Sequence, residues 1–292
     1  MGFKMLNKSN ITFIRSLSGH SGCKINLYKK DSCFVLRKDA GRTSYNDRLK
    51  KQCAKQKCFK LDLIKTPKVL DYGYDSNHLF YFDMEFVNGV CMSEYMNQIK
   101  IKKIVDLVEL LFNSLPFKQS RLSDNTDYVF KEKIISLYDT CDIRNKLILK
   151  SLKKLNNFNF KYVPLSACCG DLTLENIIVS PSGIYVIDLL DSFYNSWMID
   201  IAKLLQDIDL GWSYRYQKRS YNLNLRLSTA KQALLDNLYA MDNGKKHVLT
   251  IYYILLLNVL RIYPYTKDQI TIEFLNNALK QVLNTINEME TK

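Results

Sequence analysis

A short β-like segment stands within the helical half of this 292-residue chain and constrains the fold more than any other feature. Ile177–Val179 and Ile184–Ile187 are rich in β-branched residues, and the four residues between them, Ser-Pro-Ser-Gly, are typical of a turn. This pattern predicts a hairpin. Asp171 and Asn176 come before the hairpin, and Asp188 follows it.

These three side chains suit phosphoryl transfer. The reaction asks little covalent chemistry of a protein, but it needs a group that orients the attacking hydroxyl and oxygens that hold magnesium against the phosphates. Mg²⁺ prefers carboxylate or amide oxygen, usually from only one or two side chains. In this interpretation Asp171 orients the acceptor hydroxyl and can take its proton, and Asn176 and Asp188 bind the metal.

The pattern of the chain changes near residue 90. Before it, short β-rich runs surround one helix, and after it apolar residues recur every three or four positions. We therefore expect an α+β fold with a small β-rich nucleotide-binding lobe at 1–87 and a larger, mainly helical catalytic and acceptor-binding lobe at 88–292. The predicted strands are 11–17, 24–29, 32–38 and 78–86, and the predicted helices are about 45–59, 101–115, 128–155, 225–241, 246–262 and 268–289.

The segment Gly-Asp-Leu-Thr-Leu-Glu-Asn at 170–176, followed by Val-Ile-Asp at 186–188, resembles the aminoglycoside phosphotransferase and choline kinase-like group of the protein-kinase-like fold. The usual segment of that family is H-G-D-x-x-x-x-N, followed by a strand that ends in Ile-Asp. The resemblance implies a bilobal small-molecule kinase with Asp171 as catalytic residue and Asn176 and Asp188 as metal ligands. Asp200 matches a downstream Asp that braces the catalytic loop in the family. The order of elements extends the resemblance from about residue 13 to 205.

The first lobe contains weaker matches to the same family. Gly19 and Gly22 lie between two predicted strands, where glycines let backbone amides approach phosphates; an ordinary hairpin turn is the alternative. The run 34–38, Phe-Val-Leu-Arg-Lys, resembles the kinase strand that carries a phosphate-pairing lysine. Alternation along the strand favours Lys38 for this role, with Arg37 as the alternative if the register slips.

A hinge between the lobes is predicted at Met-Glu-Phe-Val, residues 84–87. By resemblance, the adenine edge would meet backbone groups near Glu85 and Val87. The expected cofactors are ATP, with GTP as an alternative, and Mg²⁺.

The sequence departs from the family pattern at two places. Cys169 replaces the usual His before Gly-Asp; a small buried residue can take over that structural role, or the catalytic loop is weakened. The helix at 45–60 contains no Glu to pair with Lys38, and Gln52 and Gln56 are the expected substitutes. An amide would hold the lysine by a neutral hydrogen bond, which is weaker than a charge-assisted one.

The sequence says less about the molecule that accepts the phosphoryl group than about the reaction. Little room for an activation segment follows Asp188, which favours a small-molecule kinase over a protein kinase. The basic, aromatic run 212–219 suits a sugar-type or other polyol hydroxyl, including an acidic one, although a solvated loop would have the same composition. Asp191, Trp212 and Arg215 are candidate substrate contacts.

Two other functions remain open at this point. Cys169 and the missing Glu would fit a kinase-like nucleotide-binding scaffold without turnover. The formal net charge of +13, of which residues 1–90 contribute +9 (17 Lys+Arg against 8 Asp+Glu), would fit a nucleic-acid binder, although a solvated surface explains it as well.

Residue composition limits the kinds of metal site and the cellular compartment that we expect for the protein. None of the eight cysteines forms a C-x-x-C pair and only three histidines are present, so a structural zinc site is not expected. The start of the chain lacks the apolar core of an export signal, and no apolar run appears long enough to span a membrane. We therefore expect a cytoplasmic protein with reduced thiols and no membrane span; the sequence leaves its oligomeric state open.

Overall fold

The computed structural model describes residues 11–17 and 22–291. The chain divides into two compact units: an N-terminal unit that includes residues up to Lys60 and Lys65–Gly89, and a C-terminal unit that includes Leu61–Ile64 and the chain from Val90 onward.

The N-terminal unit is an antiparallel sheet covered by one helix. Its strand order is β1-β2-β3-β5-β4. Helix α1 buries Leu49 and Cys53 against Phe80, Phe82 and Met84 of the sheet, and removal of such apolar surface from water stabilises the pair. The elements are β1 Ile11–Leu17, β2 Cys23–Lys30, β3 Cys33–Ala40, α1 Asn46–Cys58, β4 Val69–Tyr74 and β5 Phe80–Glu85.

The C-terminal unit is mainly helical and contains one small sheet. The elements are β6 Val90–Cys91, α2 Met92–Tyr95, α3 Ile104–Asn113, α4 Thr126–Thr140, α5 Lys146–Asn157, β7 Ile177–Ser180, β8 Gly183–Val186, α6 Trp197–Ile208, α7 Tyr221–Tyr239, α8 Gly244–Leu260 and α9 Gln269–Glu290. Strands β7 and β8 pair antiparallel, with β6 on the other side of β7, so the hairpin is present as predicted.

Helix α8 forms the core of this unit. Within the described part of the chain, one helical stretch, Gly244–Tyr265, is long and apolar enough to cross a membrane by length and composition. However, 67% of its apolar window is buried inside the protein. Residues Val248 to Leu260 pack against α6, α7 and α9, as in the central helix of a helical domain.

The structure differs from the predicted elements near residue 145 and at β4. The helical pattern at 128–155 is interrupted, because Asn145 caps a new helix by accepting hydrogen bonds from the backbone N–H groups of Leu147 and Ile148. Strand β4 was not predicted. It lies at the sheet edge, is mostly exposed and contains Gly73, so it lacks the apolar alternation of a half-buried strand.

Candidate active site

The β7–β8 hairpin holds Asn176 and Asp188 next to each other. Ile177 pairs with Val186, and just beyond this pair the backbone N–H of Ile187 donates to the carbonyl oxygen of Asn176 at 2.9 Å. Asp188 follows directly with φ of 55°, in the left-handed region that few side chains adopt. Strained backbone of this kind clusters at functional sites, where the surrounding structure holds it in place.

Asp171 contacts the same pair of strand ends through Asn176. The Asn176 amide nitrogen donates to the backbone oxygen of Asp171 at 2.9 Å and to its carboxylate Oδ2 at 3.1 Å. Because the nitrogen makes both bonds, the amide oxygen remains as a possible ligand for a hard cation. The Asp171 side chain is 24% exposed, so the carboxylate is ordered and reachable.

Lys203 forms an ion pair with Asp171 that sequence reasoning missed. Its Nζ lies 3.0 Å from Asp171 Oδ1 and also donates to Gln206 Oε1 at 3.3 Å. Lys203 lies on α6, one helical turn after Asp200. That spacing could have drawn attention to it, since residues three apart share a helix face.

Asp200 is fully buried and holds the loop that carries Asp171. Its two carboxylate oxygens accept hydrogen bonds from the backbone N–H groups of Cys169, at 2.7 Å, and Gly170, at 2.9 Å. The thiol of Cys168 donates to Oδ1 as well, at 3.3 Å. Cys169 itself is 1% exposed, which favours its structural interpretation over a nucleophilic one.

Gly170 allows the loop to pass close to the chain that follows Asp188. Its φ is +88°, and a Cβ at this position would lie 2.8 Å from the carbonyl oxygen of Leu190. The backbone N–H of Leu190 donates to the carbonyl of Cys169 at 2.9 Å. Only glycine fits both constraints without strain.

Asp207 is a second buried carboxylate that holds the loop carrying Asp171, and no sequence pattern indicated it. Its carboxylate accepts from the backbone N–H of Leu174 at 2.6 Å and from both the N–H and the hydroxyl of Ser213, at 2.7 and 2.6 Å. Burial raises the pKa of Asp207 to about 6, against the opposite effect of these hydrogen bonds. The far end of the 171–176 loop is therefore anchored to α6, as its start is.

In the N-terminal unit, Lys38 lies on the face of β3 that α1 covers. It is 3% exposed, and its Nζ donates to Gln52 Oε1 at 3.1 Å. Gln56 instead donates to the carbonyl of Pro67 and to Met84 Sδ, so of the two expected substitutes only Gln52 is seen to hold the lysine. Arg37 lies on the opposite face, where it forms a two-point ion pair with Asp83 at 2.6 and 2.8 Å.

The remaining nucleotide candidates also belong to this unit. Glu85 ends β5, and its backbone N–H and carboxylate are both engaged by Lys68. The backbone of Val87 makes no hydrogen bond to any other residue that the structure describes, so its polar groups are available. Gly22 precedes β2 and accepts from the N–H of Gly41 at 3.2 Å. Gly19 lies outside the described residues.

Two of the three acceptor candidates, Trp212 and Arg215, contact each other. The guanidinium of Arg215 stacks on Trp212 at 3.9 Å and donates to its carbonyl at 3.0 Å. Across the described ranges, neither side chain makes a hydrogen bond, ion pair or ring contact with Asp171, Asn176 or Asp188. Asp191 is exposed, shortly after Asp188. Their role in substrate binding stays a prediction.

The residues present fit a metal that arrives with a nucleotide. Over residues 11–17 and 22–291, no three His, Cys, Asp or Glu side chains group so that they could hold a metal ion. Mg²⁺ bound with phosphates needs only one or two protein oxygens. The Asn176 amide oxygen and the Asp188 carboxylate, at adjacent strand ends, satisfy that requirement.

No family model and no curated protein sequence matches this chain. Solved structures do match its fold. A protein assigned as a fructosamine-3-kinase from Haemophilus somnus 129PT is 16% identical, with a TM-score of 0.55 over 93% of this chain and 92% of that one. The apo form of a thermostable mutant of aminoglycoside phosphotransferase APH(4)-Ia is 13% identical, with a TM-score of 0.60 over 94% and 95%. A ternary complex of a variant of that phosphotransferase with AMP-PNP and hygromycin B is 11% identical, with a TM-score of 0.60 over 97% and 96%. The predicted α+β, protein-kinase-like fold is confirmed.

Proposed function

We propose that this protein is a Mg²⁺- and ATP-dependent phosphotransferase that moves the γ-phosphoryl group of the nucleotide to a hydroxyl of a small molecule. The observation that carries the proposal is the constellation of Asp171, Asn176 and Asp188 at the ends of one hairpin. The loop before that hairpin is anchored by the buried carboxylates of Asp200 and Asp207. A reaction that depends on positioning needs this kind of rigid support. The fold is shared with structures of small-molecule kinases.

Asp171 would accept a hydrogen bond from the attacking hydroxyl and take its proton as the new oxygen–phosphorus bond forms. The bond between the γ-phosphorus and the bridging oxygen breaks, and ADP leaves with the electron pair. Lys203 holds one oxygen of the Asp171 carboxylate and Asn176 the other, so the carboxylate cannot rotate freely. Pre-organisation of this kind lowers the entropic part of the barrier.

Asn176 and Asp188 would hold the metal through their side-chain oxygens. When bound, Mg²⁺ neutralises negative charge that develops on the phosphates. In the N-terminal unit, Lys38 is the proposed phosphate contact, and Gln52 fixes its position. Val87 is the proposed backbone contact for the base.

Asp188→Ala is expected to abolish nucleotide-dependent stabilisation. A ligand at about 100 times its Kd adds roughly 2.7 kcal/mol, so Mg·ATP should raise the unfolding midpoint of the wild type by several degrees. The variant lacks the proposed metal carboxylate and should show no rise. Thermal unfolding with and without Mg·ATP measures both.

Asp139→Ala serves as the control for that experiment, because it removes an exposed carboxylate from α4 of the same unit. It should keep the full rise. An equal rise in Asp188→Ala would exclude Asp188 from the metal site. No rise in the wild type with ATP or GTP would count against the proposed function as a whole.

Lys203→Met is expected to lower kcat by about tenfold or more with little change in the KM for Mg·ATP. The variant loses the charge that holds Asp171, and a misplaced catalytic group costs rate more than binding. Steady-state kinetics of ADP release would show this, and Lys203→Arg should recover part of the loss.

Lys231→Met is the matched control, since Lys231 of α7 forms a comparable ion pair with Asp209 at 2.8 Å. Its kcat should stay near that of the wild type. If Lys203→Met and Lys231→Met behave alike, the ion pair with Asp171 has no role in the reaction.

A further inference from the structure

Helices α4 and α8 each contribute one cationic side chain to the C-terminal unit, and the charges of the two act on each other. Lys133 lies in α4, and Arg261 is the C-terminal cap of α8. The ends of these helices are in contact, because the thiol of Cys141 lies 3.7 Å from the carbonyl oxygen of Leu260. Both cationic side chains are half-buried.

Phe193 connects this cationic pair with the proposed catalytic segment. The guanidinium carbon of Arg261 lies 4.9 Å from the centre of the Phe193 ring. The same ring packs edge-to-face on Phe130 at 5.1 Å, and Phe130 is one helical turn before Lys133. Phe193 follows Asp188 closely in the chain, and the negative charge of Asp171 acts on Arg261. Arg261 therefore packs on the segment that follows Asp188.

The partial burial of Lys133 and Arg261 lowers the stability of the folded protein. Burial, and next to it the charge of Arg261, lower the pKa of Lys133, and burial lowers the pKa of Arg261. Among the residues that the structure describes, neither side chain forms an ion pair with a carboxylate. The charge of Asp171 offsets part of the charge of Arg261 without forming an ion pair with it. Like charges that are partly removed from water destabilise a fold unless an anion compensates them.

Two buried polar groups on the same elements also lack a partner. The amide nitrogen of Asn258, a residue that is 1% exposed, makes no hydrogen bond, although its oxygen accepts from Arg261 at 3.4 Å. The hydroxyl of Ser192, next to Phe193, is buried and unbonded as well. Groups of this kind usually find partners in native proteins, and the oxygens of an anionic ligand would supply them.

We propose that Lys133 and Arg261 bind an anionic group, carboxylate or phosphate, on the acceptor, so that the substrate is an acidic hydroxyl compound such as a sugar acid or a sugar phosphate. This inference rests on the proposed phosphotransferase function. Arg261 supplies planar, paired N–H donors that match either anion, and Lys133 supplies a second charge. A cationic amino-sugar would be repelled by the same pair.

The test uses four ligands built on one ring: D-glucose, D-glucosamine, D-glucuronate and D-glucose 6-phosphate. Binding of each to the full chain in the presence of Mg·AMP-PNP is measured by calorimetry, and ADP release with Mg·ATP is measured alongside. At least one of the two anionic ligands should bind about tenfold or more tightly than glucose and glucosamine. The anionic ligand that binds more tightly shows whether the site prefers a carboxylate or a phosphate.

Variants assign that preference to the two side chains. Lys133→Gln/Arg261→Gln should remove the advantage of the anionic ligand, and Lys133→Glu should shift the preference toward glucosamine. Lys150→Gln/Lys153→Gln removes two charges from exposed positions of α5 and should change nothing. The midpoint shift with Mg·ATP shows that each variant is folded.

Equal or tighter binding of glucose or glucosamine would overturn the inference. So would the absence of binding by both anionic ligands while Mg·ATP still stabilises the protein, and in that case the proposed phosphotransferase would stand. Unchanged binding in the double variant would also remove Lys133 and Arg261 from the site. Failure of Mg·ATP to bind the wild type would instead remove the proposed function, and this inference with it.

Discussion

Asp171→Asn is expected to lower kcat by about a thousandfold or more while Mg·ATP still binds. The amide has nearly the same shape as the carboxylate, but it cannot take a proton from the acceptor hydroxyl, and loss of a positioned base commonly costs up to about four orders of magnitude. The variant also breaks the ion pair of Asp171 with Lys203. Steady-state ADP release with the best acceptor of the four-ligand set measures the loss. The midpoint shift with Mg·ATP tests whether the nucleotide still binds.

Glu175→Gln is the control for this variant. It removes one carboxylate from the same loop, at a similar partly buried position, so any general effect of charge on the loop should appear in both variants. The control should keep kcat within about threefold of the wild-type value, because uniform electrostatic effects near a surface are small. If Asp171→Asn keeps its turnover, Asp171 is not the catalytic residue.

Asp200→Asn is expected to lower both the stability of the C-terminal unit and kcat. The carboxylate accepts hydrogen bonds from two backbone N–H groups and one thiol inside the protein. An amide offers only one oxygen, so its NH₂ group must face a backbone donor, and a buried unsatisfied donor costs about 1–3 kcal/mol. We expect the unfolding midpoint to fall by several degrees. The loop that carries Asp171 should lose its position as well.

Asp209→Asn is the control that distinguishes a loss of stability from a displacement of the loop that carries Asp171. Asp209 is a buried carboxylate of the same unit that accepts from Lys231, Tyr252 and Gln281, all distant in sequence from the 169–176 loop. This control should lower the unfolding midpoint by a comparable amount and leave kcat intact well below that midpoint. An Asp200→Asn variant that is destabilised but fully active would show that Asp200 stabilises the fold without positioning the reaction.

Local patterns predicted the elements of the site well. Alternation along β3 placed Lys38 rather than Arg37 on the helix-covered face, because successive side chains of a strand point to opposite faces. The turn residues between 179 and 184 predicted the hairpin, and its ends then placed Asn176 and Asp188 close together. Local rules were insufficient at the break between α4 and α5. There the apolar periodicity continues across the interruption, and the capping hydrogen bonds of Asn145 decide where the second helix begins.

Local sequence patterns also could not decide which of Gln52 and Gln56 contacts Lys38. Both lie on the buried face of α1, so periodicity could not separate them. The register of β3 against β5 and the position of α1 over the sheet decided that Gln52 meets Lys38 and that Gln56 meets Pro67 and Met84.

The order of residues along the chain was enough to indicate the fold class, the hairpin and the side chains proposed to react, because strand alternation, turn chemistry and helix periodicity act over a few residues. The partners of those side chains were decided by tertiary structure. Lys203 meets Asp171 and Asp207 meets Leu174 only because α6 packs against a loop that is distant from it in sequence. Hydrogen bonds and ion pairs act over a few ångströms, so a pattern of neighbours in sequence cannot encode which distant side chains come within that range.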